Sequence, residues 1–240
     1  MKIFALGDLH LSLTQKVDFN DEKTLLSHKP MDIFGDGWFN HTARIYKNWQ
    51  EIVGDDDVVL VPGDISWAMT LEEAKYDFDF LGRLKGRKIL LRGNHDYWWH
   101  SPAKIRKVLP PKTDILQNEA VILGDIAIAG TRLWSLPDSP DFSLDDQKIF
   151  ERELIRLELS LEATQGLKTI VMFHYMPTNE QRNVNEVIDL LSEYNVIAVV
   201  YGHLHGGSHH KAIEGNLWGM DFSLTSGDYL NFTPKLIAEI

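Results

Sequence analysis

Five stretches of the chain run from an apolar, β-rich segment directly into residues that bind metals or move protons. They are Phe4–His10 (FALGDLH), Val59–Asp64 (VLVPGD), Ile89–Asp96 (ILLRGNHD), Thr169–His174 (TIVMFH) and Val199–His205 (VVYGHLH). In each, Asp, Asn or His arrives where a strand would stop. Ligands in open α/β sheets collect at the carboxyl ends of strands. Five such ends meeting at one place would pool carboxylate, amide and imidazole donors. The chemistry of that pool is metal binding and, with two metals, hydrolysis.

Taken singly, each stretch has an ordinary structural explanation as well. Asp8 and His10 are two apart, so in extended backbone both face one side; a turn Asp beside a surface His has the same letters. Gly63-Asp64 after a strand is also a common turn. Gly93-Asn94-His95-Asp96 brings an amide oxygen, an imidazole and a carboxylate to one bend, as an Asx turn does. His174, closing an apolar run, reads more readily as a hydrogen-bonded core histidine. Gly202-His203-Leu204-His205 is the sharpest piece, because two imidazoles two apart can address one metal or two neighbouring ones. The joint occurrence says more than any part. Five of the ten histidines stand at these ends, most of them separated by a helix or more. Imidazole with carboxylate and amide oxygen suits Mn, Fe, Co, Ni or Zn better than Ca. The chain has no cysteine, which excludes thiolate zinc, a disulfide and a thiol nucleophile.

The elements that must position these residues are legible from periodicity. Strands are expected at Lys2–Leu6, Asp57–Val61, Lys88–Leu91, Lys168–Phe173 and Val196–Tyr201. Helices are expected at Thr42–Val53, Thr70–Leu84, Pro102–Leu109, Leu144–Ala163 and Glu180–Ser192. In the first, Ile45, Trp49, Ile52 and Val53 share a side; in the second, Leu71, Ala74, Phe78 and Leu81 form a stripe behind a Thr70/Glu73 capping box. Gly124-Asp125 marks a hairpin between Ala120–Leu123 and Ile126–Ala129. From Ala212 onward short strands alternate with Gly turns and include Leu236–Glu239. The alternation predicts an α/β fold, parallel in its first half and more antiparallel later. Leu11–Asn40 is mixed in composition and reads as a long loop, either a lid or a structural insertion. No linker interrupts the pattern, so residues 1–240 are expected to form one domain.

At 240 residues and 44% hydrophobic content the chain can bury a sizeable core. It carries 35 acidic against 24 basic residues, a formal charge of −11. That balance opposes a long nucleic-acid partner, whose binding rests on Lys and Arg, and leaves room for a small phosphorylated substrate. No apolar stretch spans a bilayer, and Asp8 and His10 arrive too early for a signal peptide. A soluble, cytoplasmic protein with no membrane partner is expected.

The order D-x-H, G-D, G-N-H-D, H, G-H-x-H, running from Asp8 to His205, resembles the calcineurin-like metallophosphoesterases. Within them the chain looks most like the small bacterial predicted phosphohydrolases. The resemblance implies a four-layer α/β/β/α sandwich of two mixed sheets with helices outside. It implies a dinuclear, metal-dependent phosphoesterase acting on a small phosphodiester or phosphomonoester, with two divalent ions, Mn ahead of Fe, Zn, Co or Ni. Asp8, His10 and His205 would hold the first ion and Asn94, His174 and His203 the second, with Asp64 shared. Two such ions about 3.5–4 Å apart clamp the attacking and leaving oxygens and acidify a shared water, the hydroxide that attacks phosphorus. His95 would stand beside them as the acid that protonates the leaving group. Asn94 would also face the substrate. Arg92 matches the Arg that contacts phosphate in protein Ser/Thr phosphatases.

Departures from relatives narrow the expectation. Trp67 stands where purple acid phosphatases carry a ligand Tyr. The Asp-Arg-Gly continuation of protein Ser/Thr phosphatases, whose Asp orients the catalytic His, is replaced by Ile65-Ser66-Trp67; Asp96 is the nearest carboxylate that could do that work for His95. Trp67, Tyr97, Trp98, Trp99 and Trp134 cluster near the motifs, either as core packing or as walls of a pocket for a flat group, with Arg132 helping to hold phosphate. Two rivals share the motif set: a nuclease like the double-strand-break repair relatives, which the acidic charge opposes, and a non-catalytic scaffold like the retromer subunit, which lacks the catalytic His that His95 supplies here.

Overall fold

Strand side chains alternate between two faces, and in this chain both faces are apolar. The computed structural model describes residues 1–29 and 31–240. In β1 (Lys2–Ala5), Ile3 and Ala5 enter one core cluster and Phe4 another. β2 (Val58–Val61) divides likewise, Val58 and Leu60 against Val59 and Val61. Unbroken Val/Ile/Leu runs are the composition that strands buried on both faces require.

β1, β2, β3 (Arg87–Leu90) and β4 (Thr113–Ile115) run parallel, and β11 (Lys235–Glu239) lies antiparallel beside β1, giving the order β11-β1-β2-β3-β4. The second sheet contains β5 (Val121–Leu123), β6 (Ile126–Thr131), β7 (Lys168–Phe173), β8 (Val196–Tyr201), β9 (Gly215–Leu217) and β10 (Met220–Leu224), in the order β5-β6-β7-β8-β10-β9. β6, β7, β8 and β10 are parallel; only the edge strands β5 and β9 pair antiparallel. The antiparallel character expected later in the chain is present in the β5/β6, β9/β10 and β1/β11 pairs, at the sheet edges, while the centre of the second sheet is parallel.

The sheets pack face to face through Ile3, Leu60 and Ile89 on one side and Ile128, Ile170, Met172 and Val200 on the other. α1 (His41–Ile52), α2 (Lys75–Arg83) and α3 (Pro102–Ile105) cover the outer face of the first sheet with Ile45, Trp49, Phe78, Leu81 and Ile105. α4 (Leu144–Glu162) and α5 (Glu186–Ser192) cover the second with Phe150, Leu157, Val187 and Leu191. This is the four-layer arrangement of two mixed sheets flanked by helices. Among the described residues no helix is long and apolar enough to cross a membrane.

Local hydrogen bonds explain where helix bounds differ from expectation. Glu73 N–H donates to Thr70 Oγ1 (3.3 Å), but the Glu73 carboxylate accepts from Met69 N–H (2.8 Å) and not from Thr70; these bonds close a turn, and the α-helix begins at Lys75. The helix expected from Glu180 begins at Glu186, where Asn185 caps Ile188 N–H at 3.1 Å. The residues before it are held as a loop by Thr178 donating to Asn183 O (2.6 Å) and Asn183 N–H to Asn179 Oδ1 (3.1 Å). α3 stops at Ile105, short of Leu109. Ile52 turns outward while Trp49 and Val53 stay inside. The Leu11–Asn40 segment, of which Pro30 lies outside the described residues, buries Leu13, Val17, Leu25, Met31 and Trp38. The segment packs against the core through these residues.

Candidate metal centre

The parallel pairing of β1 and β2 continues beyond the strands. Asp8 N–H donates to Gly63 O (3.0 Å), His10 N–H to Asp64 O (2.9 Å) and Leu11 N–H to Ile65 O (3.0 Å), so the two loops run side by side. This ladder holds unusual backbone. Asp8, His10, Asp64 and His203 have φ of 54°, 43°, 52° and 70°, the left-handed region that non-glycine residues avoid. Such conformations cost on the order of 1–3 kcal/mol each and persist where surrounding structure over-determines them, most often at functional sites. Glycine supplies the close approaches: a Cβ on Gly93 would run into the Asp64 carboxylate, and one on Gly202 into the Asp8 carboxylate.

These constraints bring the strand ends together. Asp8, His10 and His205 place ligand atoms within 4.8 Å of one another, as do Asp8, Asp64 and His174. Asp64 Oδ2 lies 3.7 Å from His10 Nε2 and 3.5 Å from His174 Nε2, between the two groups. Asp8 Oδ1 lies 3.5 Å from His205 Nε2. The His203 ring stands 5.0 Å from that of His174, outside the two tightest groups, and the His203 backbone N–H donates to Asp8 Oδ1 and Oδ2.

The donor set fits a metal on three counts. Both ring nitrogens of His10 are buried with no hydrogen-bond partner among the described residues, a cost that buried polar groups ordinarily avoid. His174 Nδ1–H donates to Pro62 O at 2.9 Å, which turns the lone pair of Nε2 toward the Asn94 carbonyl oxygen, 2.7 Å away; a cation reconciles two acceptors so placed. His205 Nδ1–H donates to Asp228 Oδ1 at 2.8 Å, while its buried Nε2 has no partner. A carboxylate behind a ligating imidazole is the arrangement that fixes its tautomer and raises its basicity. Asp228 also accepts from Gly206 N–H (2.9 Å) and lies 3.2 Å from His209.

The electrostatics agree. Burial holds His10 and His174 below their ordinary range and drives His203 down to about 3, so these imidazoles are neutral, the form that binds metal. Burial, with the Asp8 carboxylate next, pushes Asp64 up to about 8. Burial also opposes the charge on Asp8, but His205, His174 and His10 outweigh it and keep the carboxyl below its usual range. Burial disfavours charge on His205 too, yet Asp8 and Asp228 raise it to about 10. Bound dications would take over the work of that proton and of the neutral Asp64.

His95 N–H donates to Asp64 Oδ1 at 2.8 Å, and the imidazole packs against Trp67 with centroids 4.4 Å apart. Trp67 in turn stacks on His10 (5.0 Å, 26°) and donates its Nε1–H to Met31 Sδ. Asp96 does not orient His95. It accepts from Ile65, Ser66 and Gly93 N–H and from Trp98 Nε1–H (2.7–3.1 Å), binding the second and third loops to each other. Trp98 is fully buried in that role and walls no pocket. Trp99 is nearly buried and donates to Gln117 (2.8 Å). Trp134 supports Arg132, whose guanidinium lies 4.5 Å over its ring. Arg92 and Arg132 line one cavity beside the centre, and the Arg132 carbonyl accepts from His174 and Tyr175 N–H (3.2 and 3.1 Å).

Sequence reasoning missed Asp228, Trp38 and Glu153. Trp38 presents its edge to His10 and His205 (5.5 and 5.3 Å) from the long insertion, and no local pattern announces that contact. A family model described as calcineurin-like phosphoesterase matches residues 1–207. No curated protein matches the chain. Among solved structures, a phosphopantetheinyl hydrolase from Mycobacterium tuberculosis superposes with a TM-score of 0.60 at 14% identity, covering 100% of this chain and 96% of the other. A protein of unknown function from Aquifex aeolicus gives 0.49 at 14% identity, covering 98% and 95%.

Proposed function

The chain belongs to the calcineurin-like phosphoesterase family and is a metal-dependent phosphoester hydrolase, and from that premise we propose a dinuclear enzyme for a small phosphodiester or phosphomonoester. Asp8, His10 and His205 would hold one divalent ion and Asn94, His174 and His203 the other, with Asp64 serving both; Mn is the first choice. The observation that carries this reading is the convergence of the unpartnered ring nitrogens of His10 and His205, and of His174 Nε2 facing the Asn94 carbonyl oxygen, on the buried carboxylates of Asp8 and Asp64. The bound ions supply Lewis-acid charge and an acidified water.

The protein's own groups do the rest. Asp228 keeps His205 in the tautomer that presents Nε2. Trp67 and the Asp64 hydrogen bond fix His95 beside the centre, where its imidazole gives a proton to the leaving alkoxide. Burial lowers the His95 pKa, with His174 next among the causes, which makes the protonated form a stronger acid. Asn94 faces the scissile phosphoryl group, and Arg92 and Arg132 help to hold substrate phosphate from the cavity beside it. Trp38 and Trp67 exclude water from the flank of His10. The test is a phosphoester panel with and without chelator, including a phosphopantetheinyl ester, the group in the fold neighbour's name. Hydrolysis that stops on chelation and returns with Mn is expected; hydrolysis indifferent to chelator would refute the reading.

A further inference from the structure

Beside the metal centre, between the carboxyl ends of β3 and β6, lies a polar cavity of about 230 Å³. It is smaller than a pocket for a whole drug-sized molecule and suits one compact group with its water. Three guanidiniums line it, Arg92, Arg132 and Arg156, together with Ser101, Asn118 and a single carboxylate, Glu153. Glu153 is buried and already engaged: Arg156 Nη1 donates to it at 2.6 Å, Arg132 Nη2 lies 3.7 Å away, and the Thr131 hydroxyl donates to its other oxygen. Three cations against one anion leave an excess of two positive charges, in a protein whose formal charge is −11.

The guanidiniums are short of partners as well as crowded. Nε of Arg92 and Nε of Arg132 are buried without a hydrogen-bond acceptor among the described residues. Burial lowers the Arg132 pKa, with Arg92 and Arg156 adding to the effect against Glu153. Planar guanidinium forks bind phosphate oxygens two at a time. The cavity also adjoins the reaction: Arg92 precedes Asn94 by two residues, and the Arg132 carbonyl is bonded to the His174 and Tyr175 amides.

We propose that this cavity is a second anion subsite, and that the substrate is a phosphoester bearing a second phosphate which seats among Arg92, Arg132 and Arg156 while the scissile phosphate lies at the metals. The substrate-class statement rests on the proposed hydrolase function; the anion subsite does not.

Two measurements separate them. First, inorganic phosphate is titrated into metal-stripped protein in chelator, followed by thermal shift. Saturable stabilisation is expected, because the cavity carries an excess of guanidiniums. R156Q, altered at a half-exposed helix position, should weaken that binding about tenfold, as loss of a charged hydrogen bond does; R156K, which keeps the charge but not the fork, should fall between. Absent binding, or equal binding by R156Q, overturns the subsite. Second, kcat/KM of the Mn-loaded enzyme is compared for α,ω-alkanediol bisphosphates of two to six carbons and the matching alkyl phosphates. At least one bisphosphate should be preferred about tenfold, and R156Q should shrink that ratio. Phosphate binding without any preference means that the cavity holds phosphate independently, and the substrate class falls. No hydrolysis of any ester sinks the hydrolase reading and the substrate class with it, and leaves the subsite to be decided by the titration.

Discussion

At the scale of single residues, function rests on which ring nitrogen is free. His174 and His205 each spend Nδ1 on an acceptor, Pro62 O and Asp228, and so aim Nε2 at the carboxylates. Asp228→Asn keeps the shape but weakens the acceptor, and metal affinity is predicted to fall about 10–100-fold by calorimetry, with the fold intact by circular dichroism. His95 donates its backbone N–H to a proposed ligand but spends no ring nitrogen on a metal in the proposed set. His95→Ala should cut turnover by about 10²–10⁴ while the protein keeps its full metal content; turnover near the wild-type rate would remove the acid role. The identities of these residues were legible in sequence because each follows an apolar run. Their left-handed backbone and the part played by Asp228 were not, since Asp228 lies 23 residues beyond its partner His205 and no periodicity links the two.

At the scale of elements, buried carboxylates stitch the loops to one another. Asp96 joins the second and third loops, and Asp77 on α2 accepts from Leu13 N–H (2.8 Å) and Ser66 Oγ–H (2.5 Å), joining the helix to the first and second. Burial raises the Asp77 pKa to about 7 despite those bonds. A group whose folded pKa is raised contributes stability that is complete below its unfolded value, near 4, and is lost as pH climbs through 7. Asp77→Asn should therefore flatten stability between about pH 4 and 7, by an amount on the order of a few kcal/mol, in urea melts; an unchanged slope would show that Asp77 is ionised throughout. α4, with its Ser143/Asp146 capping box and long stripe, was readable from periodicity. β4 was not, because three residues flanked by loop (Thr113–Ile115) carry too little alternation to register. α5 was overextended because its capping Asn185 sits inside a run whose polar residues mimic a helix face.

At the scale of the whole molecule, two parallel-centred sheets aim their carboxyl ends at one place, and every proposed ligand follows a strand. The four-layer packing was legible only through the family resemblance, since alternation within a strand does not say what covers either face. The arginine cavity was half legible: Arg92 and Arg132 follow strands, but Arg156 and Glu153 lie on α4, whose pattern does not show that it meets them. The acidic centre makes metal loading a proton exchange. His205, near 10, and Asp64, near 8, must release protons to bind an ion, so the rise in melting temperature on adding Mn should be larger at pH 8.5 than at pH 6; equal gains would mean that neither proton is displaced. The central claim is the pairing of two ions across Asp64. Its most direct test is the Mn content of reconstituted protein by elemental analysis, set against Asp64→Asn. The account predicts two ions per chain, with loss of at least one in the variant; one ion or none per wild-type chain would contradict it.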